Sequence, residues 1–311
     1  MVDVSIIVAI YNADWEKLKM TIDSIVSQEN VEFEVIFADD GSEIKWNEKI
    51  VLYLEERCKY SFADSLKNHG TVSNILNGVN KAKGKYIKVI SPGDCINGKL
   101  SIKYWVDFME KTNADMSFCN AIYYQIDGYG KFVVLEKPAA PKNVFVYHQK
   151  NKRKKLFVDY LLANDSILGA SVMVRRDIFR TYLKEIEGKV KYAEDYIIRL
   201  MVFDNKKIVH LNECFLIYEY GDGISTTQSK KWAELLYKDF EATNEIIKTR
   251  NLLNEPIQIK YQKLLNKKKY NLIPNKIKKV IMFPTTLLYR FKMKYFFQKT
   301  PVNINDCYKE L

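Results

Sequence analysis

The sequence predicts an α/β protein with a mixed, mostly parallel sheet flanked by helices. In the first hundred residues, continuous apolar runs rich in β-branched residues alternate with segments whose apolar residues recur at helical spacing. Each of the strongest runs ends in turn-forming or acidic residues. A strand, helix, strand series folds as a right-handed crossover, so parallel strands deliver their carboxyl ends to one edge of the sheet. We therefore expect a ligand site at that edge.

The first half of the chain accounts for most of this prediction. Val4 to Ile10 is a continuous apolar run, as expected of a strand buried on both faces. The other predicted strands cover 33–38, 60–62 and 86–90, and the predicted helices cover 18–26, 50–57 and 72–79, the last ending before Gly84. By residue 94 the pattern is that of a doubly wound nucleotide-binding domain.

The second half predicts a different mixture of elements. Helices are expected at 102–109, 156–163, 177–183, 192–203 and 232–250, and extended segments at 114–124, 132–135, 170–175 and 207–215. A loop is expected at 138–141, and 149–155 is a basic stretch.

Composition indicates a soluble globular protein with a substantial core. The 311 residues are 47% hydrophobic and 28% charged, and no apolar run reaches the roughly 18 residues needed to span a bilayer. The start of the chain lacks the features of a secretory leader. The five cysteines are scattered and form no C-x-x-C pair, which predicts neither a disulfide framework nor a zinc site. We expect a cytoplasmic protein.

The turn Ser91-Pro92-Gly93-Asp94 follows the predicted strand at 86–90. Its only carboxylate, Asp94, falls at the sheet edge where a metal or phosphate ligand would be useful. The alternative is that Asp94 serves only as a turn residue or helix cap.

Several segments in order resemble the family 2 glycosyltransferases with a GT-A fold. The segments that carry the resemblance are VSIIVAIYN at 4–12, FEVIFADDGS at 33–42, the helix from Asn68-x-Gly70 to Gly84, KGKYIKVISPGD at 83–94 and YAEDYIIRL at 192–200. The resemblance covers roughly residues 1–230. It implies a catalytic domain at 1–228, with a nucleotide-sugar half at 1–98 and an acceptor half at 99–228. An amphipathic helix at 229–254 and a basic helical extension at 255–311 follow.

The resemblance implies a donor site at the carboxyl ends of the first strands. Tyr11 would lie against the base, Asp39 would accept from a uracil-type imide or an exocyclic amine, and Asp40 would brace its loop or reach the ribose. The full set of implied donor-binding residues is Ile10, Tyr11, Asn12, Asp39, Asp40, Asn68, Gly70, Ser91, Asp94, Ser225 and Thr226. The last two belong to the segment YEYGDGIST at 218–226, which resembles a loop placed over the diphosphate. An ordinary turn or strand-end packing is the alternative for each position.

The resemblance also implies a divalent cation, Mn²⁺ or Mg²⁺, with Asp94 as its protein ligand. Here the sequence departs from the family, because the usual acidic cluster has two or three aspartates and this turn has one. One carboxylate can suffice when a diphosphate and water complete the coordination shell. Metal independence is the alternative, with Lys or Arg replacing the ion's charge.

Glu194 and Asp195 are the catalytic residues that the resemblance implies. Asp195 would be the general base, removing the proton from an acceptor hydroxyl that attacks the anomeric carbon, and a single displacement inverts the configuration. Glu194 would orient Asp195 or contact the acceptor. An acidic first helical turn with no catalytic role is the alternative.

The C-terminal region carries most of the net positive charge. Residues 255–311 hold 13 Lys/Arg and 3 Asp/Glu, so they account for +10 of the chain's +11. The mixture of lysines and large apolar residues at 267–299 predicts an interfacial helix pair on an anionic membrane surface. The alternative is a helical hairpin that packs on the catalytic domain or on another subunit of a homo-oligomer. Nucleic acid is not the expected partner.

The resulting hypothesis is a metal-assisted, inverting glycosyltransferase at the inner face of a bacterial membrane. It would use a nucleotide sugar, UDP-linked, and a glycan or lipid-linked acceptor in surface polysaccharide synthesis. One rival is a nucleotidyltransferase, which needs a glycine-rich basic loop after the first strand, and Tyr11 to Glu16 is neither. Another is a non-catalytic membrane or nucleic-acid binding protein on a decayed transferase fold.

Overall fold

The computed structural model describes residues 2–135, 141, 143–148, 153–163, 165–221, 223–224, 229–251 and 256–265. Its strands are β1 Val4–Ile10, β2 Phe33–Asp39, β3 Lys59–Phe62, β4 Tyr86–Ile90, β5 Cys95–Ile96, β6 Met116–Ile126, β7 Phe132–Leu135, β8 Val172–Arg175 and β9 Ile208–Glu219. Its α-helices are α1 Trp15–Val26, α2 Asn47–Leu54, α3 Thr71–Lys81, α4 Ser101–Thr112, α5 Arg153–Phe157, α6 Arg176–Ile186, α7 Ile197–Phe203, α8 Lys230–Thr249 and α9 Pro256–Leu265.

The strands form one mixed sheet in the order β3-β2-β1-β4-β8-β6-β9-β5, with β7 paired to β6. The pairs among β3, β2, β1 and β4 are all parallel, as predicted for the first half. β8 pairs antiparallel with both β4 and β6, whereas β6 and β9 are parallel. The first half of the chain therefore contributes a continuous parallel block, and the second half extends the same sheet.

Both faces of the sheet are covered, which explains why the first strands are apolar throughout. Six of the seven residues of β1 are buried. Helices α1, α2 and α4 contribute apolar residues to the core on one face, and α3, α6, α7, α8 and α9 contribute to the core on the other. A strand covered on both sides has no solvent-facing row that requires polar residues.

The first-half elements match the sequence prediction closely, and differences are concentrated later in the chain. The short strand β5 was not predicted, and it pairs with the end of β9, which runs to Glu219 rather than to 215. The expected helix at 192–203 was wrong at its start. Residues Glu194–Tyr196 form a 3₁₀ turn, and the α-helix begins at Ile197.

The beginning of the C-terminal region packs on the core beside α7 and α8. In α9, Tyr261 and Leu264 are buried in the same core as α7 and α8, and the Gln258 side chain donates to the Phe203 carbonyl. The segment 267–299, for which membrane contact was predicted, lies outside the described residues. Within the described part of the chain, no helix is long and apolar enough to cross a bilayer.

Candidate active site

The carboxyl ends of β1, β2 and β4 meet at one edge of the sheet, as predicted. In the parallel register Ile10 lies beside Asp39, and Val8 lies beside Ile90. The Asp40 amide continues the β1 and β2 pairing by donating to the Ile10 carbonyl at 2.9 Å. The residues that follow these three strands therefore share one edge, although they are far apart in the sequence.

Tyr11 and Asn12 form the exit from β1. Asn12 adopts a left-handed backbone conformation, with φ 46°, and its amide donates to the Ser42 hydroxyl at 2.8 Å. Its side-chain oxygen accepts from the Glu43 amide at 2.9 Å, so Asn12 joins the exits of β1 and β2. Tyr11 is left 53% exposed, with its ring available to a flat ligand. Ile10 is buried in the core, so its side chain supports this edge from below.

Asp39 is buried, and two backbone amides and Lys45 hold its carboxylate. Its Oδ1 accepts from the amides of Gly41 and Ser42 at 3.0 and 2.9 Å, and from the Lys45 ammonium. Burial raises the pKa of Asp39, but the hydrogen bonds from Lys45 and Ser42 outweigh it and hold the pKa below its ordinary value. The hydrogen bonds from the two amides and Lys45 all go to Oδ1, and the ionised Oδ2 is suited to accept from an imide or amine.

Unlike those of Asp39, both carboxylate oxygens of Asp40 are bonded to backbone amides. Its two oxygens accept from the amides of His69 and Gly70, at 2.9 and 2.8 Å, and the side chain is 3% exposed. The 67–70 loop is thereby fixed against the end of β2. Gly41 makes this approach possible, because a Cβ there would lie 2.5 Å from the Lys67 carbonyl carbon. Of the two roles open for Asp40, the geometry favours bracing the loop over reaching a ribose.

Asn68 and Gly70 lie on the loop that Asp40 holds. Asn68 is exposed at this edge, whereas Gly70 is buried at the start of α3 with φ 95°. A Cβ at Gly70 would lie 2.5 Å from the Lys191 side chain. The loop therefore contacts the segment that leads to Glu194.

The Ser91-Asp94 turn places Ser91 at the surface and Asp94 inside. Ser91 is exposed, but Asp94 is only 4% exposed, and its Oδ1 accepts from the Glu219 amide at 3.0 Å. Burial raises the pKa of Asp94 to about 7, and the nearby Glu219 carboxylate also raises it, against the lowering effects of the Glu219 amide and Lys88. Glu219 itself forms an ion pair with Lys17 at 2.6 Å.

Both carboxylates at this turn are bonded to protein groups. The Asp94 carboxylate is buried and bonded to the Glu219 amide, and the adjacent Glu219 carboxylate is paired with Lys17. Among the residues that the structure describes, no group of three or more His, Cys, Asp and Glu side chains could hold a metal ion. A cation at Asp94 would therefore need the donor diphosphate and water to complete its coordination shell, and the metal role of Asp94 stays a prediction.

Glu194 and Asp195 lie beside the parallel half of the sheet. Both are partly exposed, and both line a small cavity together with Val89, Met116, Gly169 and Val172. Val89 is next to the last residue of β4, so the cavity reaches the strand that ends just before Ser91. Gly169 allows Asp195 to approach closely, because a Cβ at that position would lie 3.0 Å from the Asp195 Cβ.

The surroundings of this pair favour proton transfer near neutral pH. Loss of hydration raises the pKa of Glu194, and the charge of Asp195 raises it further. The pKa of Asp195 is also raised by loss of hydration, and the charge of Asp239 adds to this, although a backbone amide opposes it. Two adjacent carboxyl groups in such surroundings do not readily ionise together, so the pair is expected to share a proton over part of the pH range.

Several residues at these sites were not identified from the sequence. Lys45 pairs with Asp39, Glu219 reaches the Ser91-Asp94 turn, and Asp239 accepts from three amides immediately before Glu194. Lys88 is fully buried on β4 and donates to the carbonyl of Ala170, beside Gly169. Of these residues, only Lys88 stands out in the sequence, because it is a lysine inside an otherwise apolar strand. Ser225 and Thr226, predicted to cover the diphosphate, lie outside the described residues.

Comparisons with known proteins identify relatives over much of the chain. The profile of Glycosyl transferase family 2 matches residues 5–183. An uncharacterized glycosyltransferase of Methanocaldococcus jannaschii is 27% identical over 205 residues, covering 65% of this chain and 66% of the relative. An uncharacterized glycosyltransferase of Rickettsia bellii is 27% identical over 179 residues, covering 57% of this chain and 24% of the relative. The match thus spans less than two thirds of either relative.

Solved structures support the fold. S. aureus TarS 1-349 in complex with UDP-GlcNAc superimposes with a TM-score of 0.57 at 17% identity, covering 84% of this chain and 70% of that chain. The complex of the same protein with UDP gives a TM-score of 0.53 at 16% identity, with the same coverage. At these identities the likeness concerns the fold alone, and it confirms the predicted α/β class.

Proposed function

Because the chain belongs to glycosyl transferase family 2 and has the predicted GT-A fold, we propose that it transfers a sugar from a UDP-linked donor to a glycan or lipid-linked acceptor. One observation carries the proposal. Asp195 lines a cavity with Val89, at the carboxyl end of the strand that leads to the donor edge. A general base and a nucleotide-binding edge at the end of the same strand suit group transfer between two bound substrates.

The donor would bind across the ends of β1, β2 and β4. The exposed ring of Tyr11 offers a flat contact for the base, and Asp39 Oδ2 offers an acceptor for its imide. Ser91 lies at the end of β4, where the phosphates would be expected. The UDP and UDP-GlcNAc complexes of the TarS neighbour support a uridine nucleotide.

Asp195 would act as the general base of an inverting displacement. It removes the proton from an acceptor hydroxyl as the oxygen bonds to the anomeric carbon, while the bond to the diphosphate breaks and the leaving group keeps its electron pair. The raised pKa suits a base that works near neutral pH. Glu194 would orient Asp195 or contact the acceptor. Asp94 would be the protein ligand of a divalent cation, which would offset charge on the leaving diphosphate.

The proposal is tested by the release of UDP from UDP-sugars, first with water as acceptor. Asp195→Asn should lower UDP release by about 100-fold or more, since a general base typically contributes 10²–10⁴-fold. Donor affinity, measured by calorimetry, should be unchanged. Asp177→Asn is a matched control, because Asp177 is exposed at the start of α6 and does not line the cavity. Unchanged UDP release in Asp195→Asn would overturn the base assignment.

A donor screen separates this function from its rivals. Thermal stabilisation by a panel of nucleotide sugars, with and without Mn²⁺, would identify the donor because a bound ligand stabilises the folded state according to its affinity. Stabilisation by a UDP-sugar without any UDP release would favour a non-catalytic binding protein. Incorporation of a nucleotide into a sugar phosphate would favour a nucleotidyltransferase.

Membrane contact through 267–299 belongs to the same proposal. The net charge of +10 over 255–311 supports attraction to anionic lipid, where each basic residue near the surface contributes about 1 kcal/mol. This contact would bring the enzyme to a lipid-linked acceptor in bacterial surface polysaccharide synthesis.

A further inference from the structure

Asp239, on α8, holds the backbone that leads into the catalytic pair. Its Oδ1 accepts from the Lys191 amide at 3.0 Å, and its Oδ2 accepts from the amides of Tyr192 and Ala193 at 2.8 and 3.0 Å. The side chain is 5% exposed. Three consecutive amides that converge on one buried carboxylate leave this segment little freedom to move.

The same segment is attached to the donor half of the molecule. The Lys191 carbonyl accepts from the Val72 amide at 3.1 Å, and Lys191 packs on Gly70. Gly70 is in turn held by Asp40 at the end of β2. Residues 191–193 are therefore fixed on one side by α8 and on the other by the loop that borders the donor edge.

This anchoring also explains where the 3₁₀ turn begins. The Ala193 carbonyl accepts from the Tyr196 amide at 3.1 Å and so closes the turn that carries Glu194 and Asp195. Aromatic contacts reinforce the arrangement on both sides: Tyr192 packs edge-on against Trp232, and Tyr196 packs edge-on against Phe240, both rings being on α8. The position of Asp195 thus depends on α8 rather than on its own helix alone.

We propose that Asp239 is a positioning residue for Asp195, which it aligns for proton transfer by fixing the three amides that precede the catalytic turn. This inference rests on the proposed function, in which Asp195 is the base. Asp239 acts through the backbone and through its charge, and it is not assigned a contact with substrate. Shifts of about 1 Å in a catalytic group can cost on the order of 100-fold in rate.

The charge of Asp239 gives the proposal a measurable signature. Its negative charge favours the protonated form of Asp195, so the pKa of Asp195 is raised by loss of hydration and by Asp239. Among the described residues, Glu194, Tyr160 and Tyr196 also interact with the charge of Asp195, and Arg199 interacts with both tyrosines. Removing the charge of Asp239 while keeping these four should lower the pKa of Asp195.

The test compares Asp239→Asn with the full-length wild-type chain. The substitution keeps the shape and one acceptor but removes the charge, so UDP release should fall about 10-fold or more, with unchanged affinity for UDP. The acid limb of the pH–rate profile should move to lower pH by about half a unit. Hydrogen exchange by mass spectrometry should show faster exchange of the amides at 191–193. If Asp239→Asn does not fold, Asp239→Glu keeps the charge at a displaced position, and its acid limb should stay near that of wild type while the rate falls.

Thr243→Ala is the matched control, because Thr243 is another buried polar residue of α8 but contacts Arg199 instead of the 191–193 segment. It should lower the melting temperature without moving the acid limb. The proposal would be overturned if folded Asp239→Asn kept the wild-type rate and the acid limb of its pH–rate profile did not move. Unchanged hydrogen exchange of the amides at 191–193 would also overturn it. A failure of the proposed function would give a different result from a failure of this proposal. In that case Asp195→Asn would retain UDP release, whether or not Asp239 is also replaced.

Discussion

Replacing Asp40 tests whether it braces the donor edge or binds the donor itself. Both of its oxygens accept from backbone amides, at 2.9 Å from His69 and 2.8 Å from Gly70. The Gly70 hydrogen bond is buried, and the His69 hydrogen bond is partly buried. In Asp40→Ala both amides lose their partner, and water has little access to replace it.

The expected loss of stability follows from these two amides. A buried donor left without a partner costs about 1–3 kcal/mol, and a partly buried donor costs less, so Asp40→Ala should lower the free energy of unfolding by about 2–4 kcal/mol. Asp40→Asn keeps one acceptor and turns an amide group toward the second donor. The free energy of unfolding of Asp40→Asn should therefore fall by less, about 1–2 kcal/mol.

Urea unfolding followed by circular dichroism gives these free energies, provided that the slope of the transition is unchanged. Asp64→Asn is a suitable control, because Asp64 follows the neighbouring strand but is exposed. Its effect should stay within about 0.5 kcal/mol. If Asp40→Ala were as stable as wild type but bound UDP much more weakly, the bracing role would be refuted and a ribose contact favoured.

Four further outcomes are expected. Asp94→Asn keeps an acceptor for the Glu219 amide, so calorimetry without Mn²⁺ should give the variant the same affinity for UDP as wild type. An affinity below that of wild type only when Mn²⁺ is present would establish Asp94 as a metal ligand, and an affinity equal to that of wild type in both conditions would argue against it. Gly41→Ala should lower the free energy of unfolding by about 2 kcal/mol or more, because φ is +76° and the new Cβ would meet the Lys67 backbone; an unchanged urea midpoint would contradict this. UDP release should fall as pH drops through the raised pKa of Asp195, since the base must be deprotonated, and an acid limb near the ordinary value of 3.8 would argue against it. A chain ending at Leu265, which retains α9, should lose salt-sensitive binding to anionic liposomes, and equal binding would argue against membrane contact.

The donor side of the site was predictable because it depends on strand ends. β1, β2 and β4 are recognisable as continuous apolar runs, and parallel pairing makes their exits meet at one edge. Tyr11 and Asp39 therefore lie where the sequence predicted. The roles of the two adjacent aspartates could not be separated in this way, since Asp39 and Asp40 have the same local signal and differ only in which backbone amides approach them.

At the Ser91-Asp94 turn, the local sequence does not show which group the Asp94 carboxylate contacts. The sequence placed a carboxylate at the strand exit, and the structure turns that carboxylate inward, where it accepts from an amide 125 residues away. The pairing of β5 with β9 brings Glu219 to this turn, and β5 is too short to give a periodic pattern. A distant strand thus supplies the amide that this carboxylate binds, a contact that the local sequence does not indicate.

The sequence by itself determined the α/β class, the parallel block and the edge that carries the proposed donor residues. Those features follow from apolar periodicity and turn chemistry, which each segment expresses with its own neighbours in the chain. Tertiary structure alone decided which backbone amides and side chains each acid contacts. It also placed Asp239 beside residues 191–193, because α8 must fold back onto α7 before its carboxylate can reach those amides.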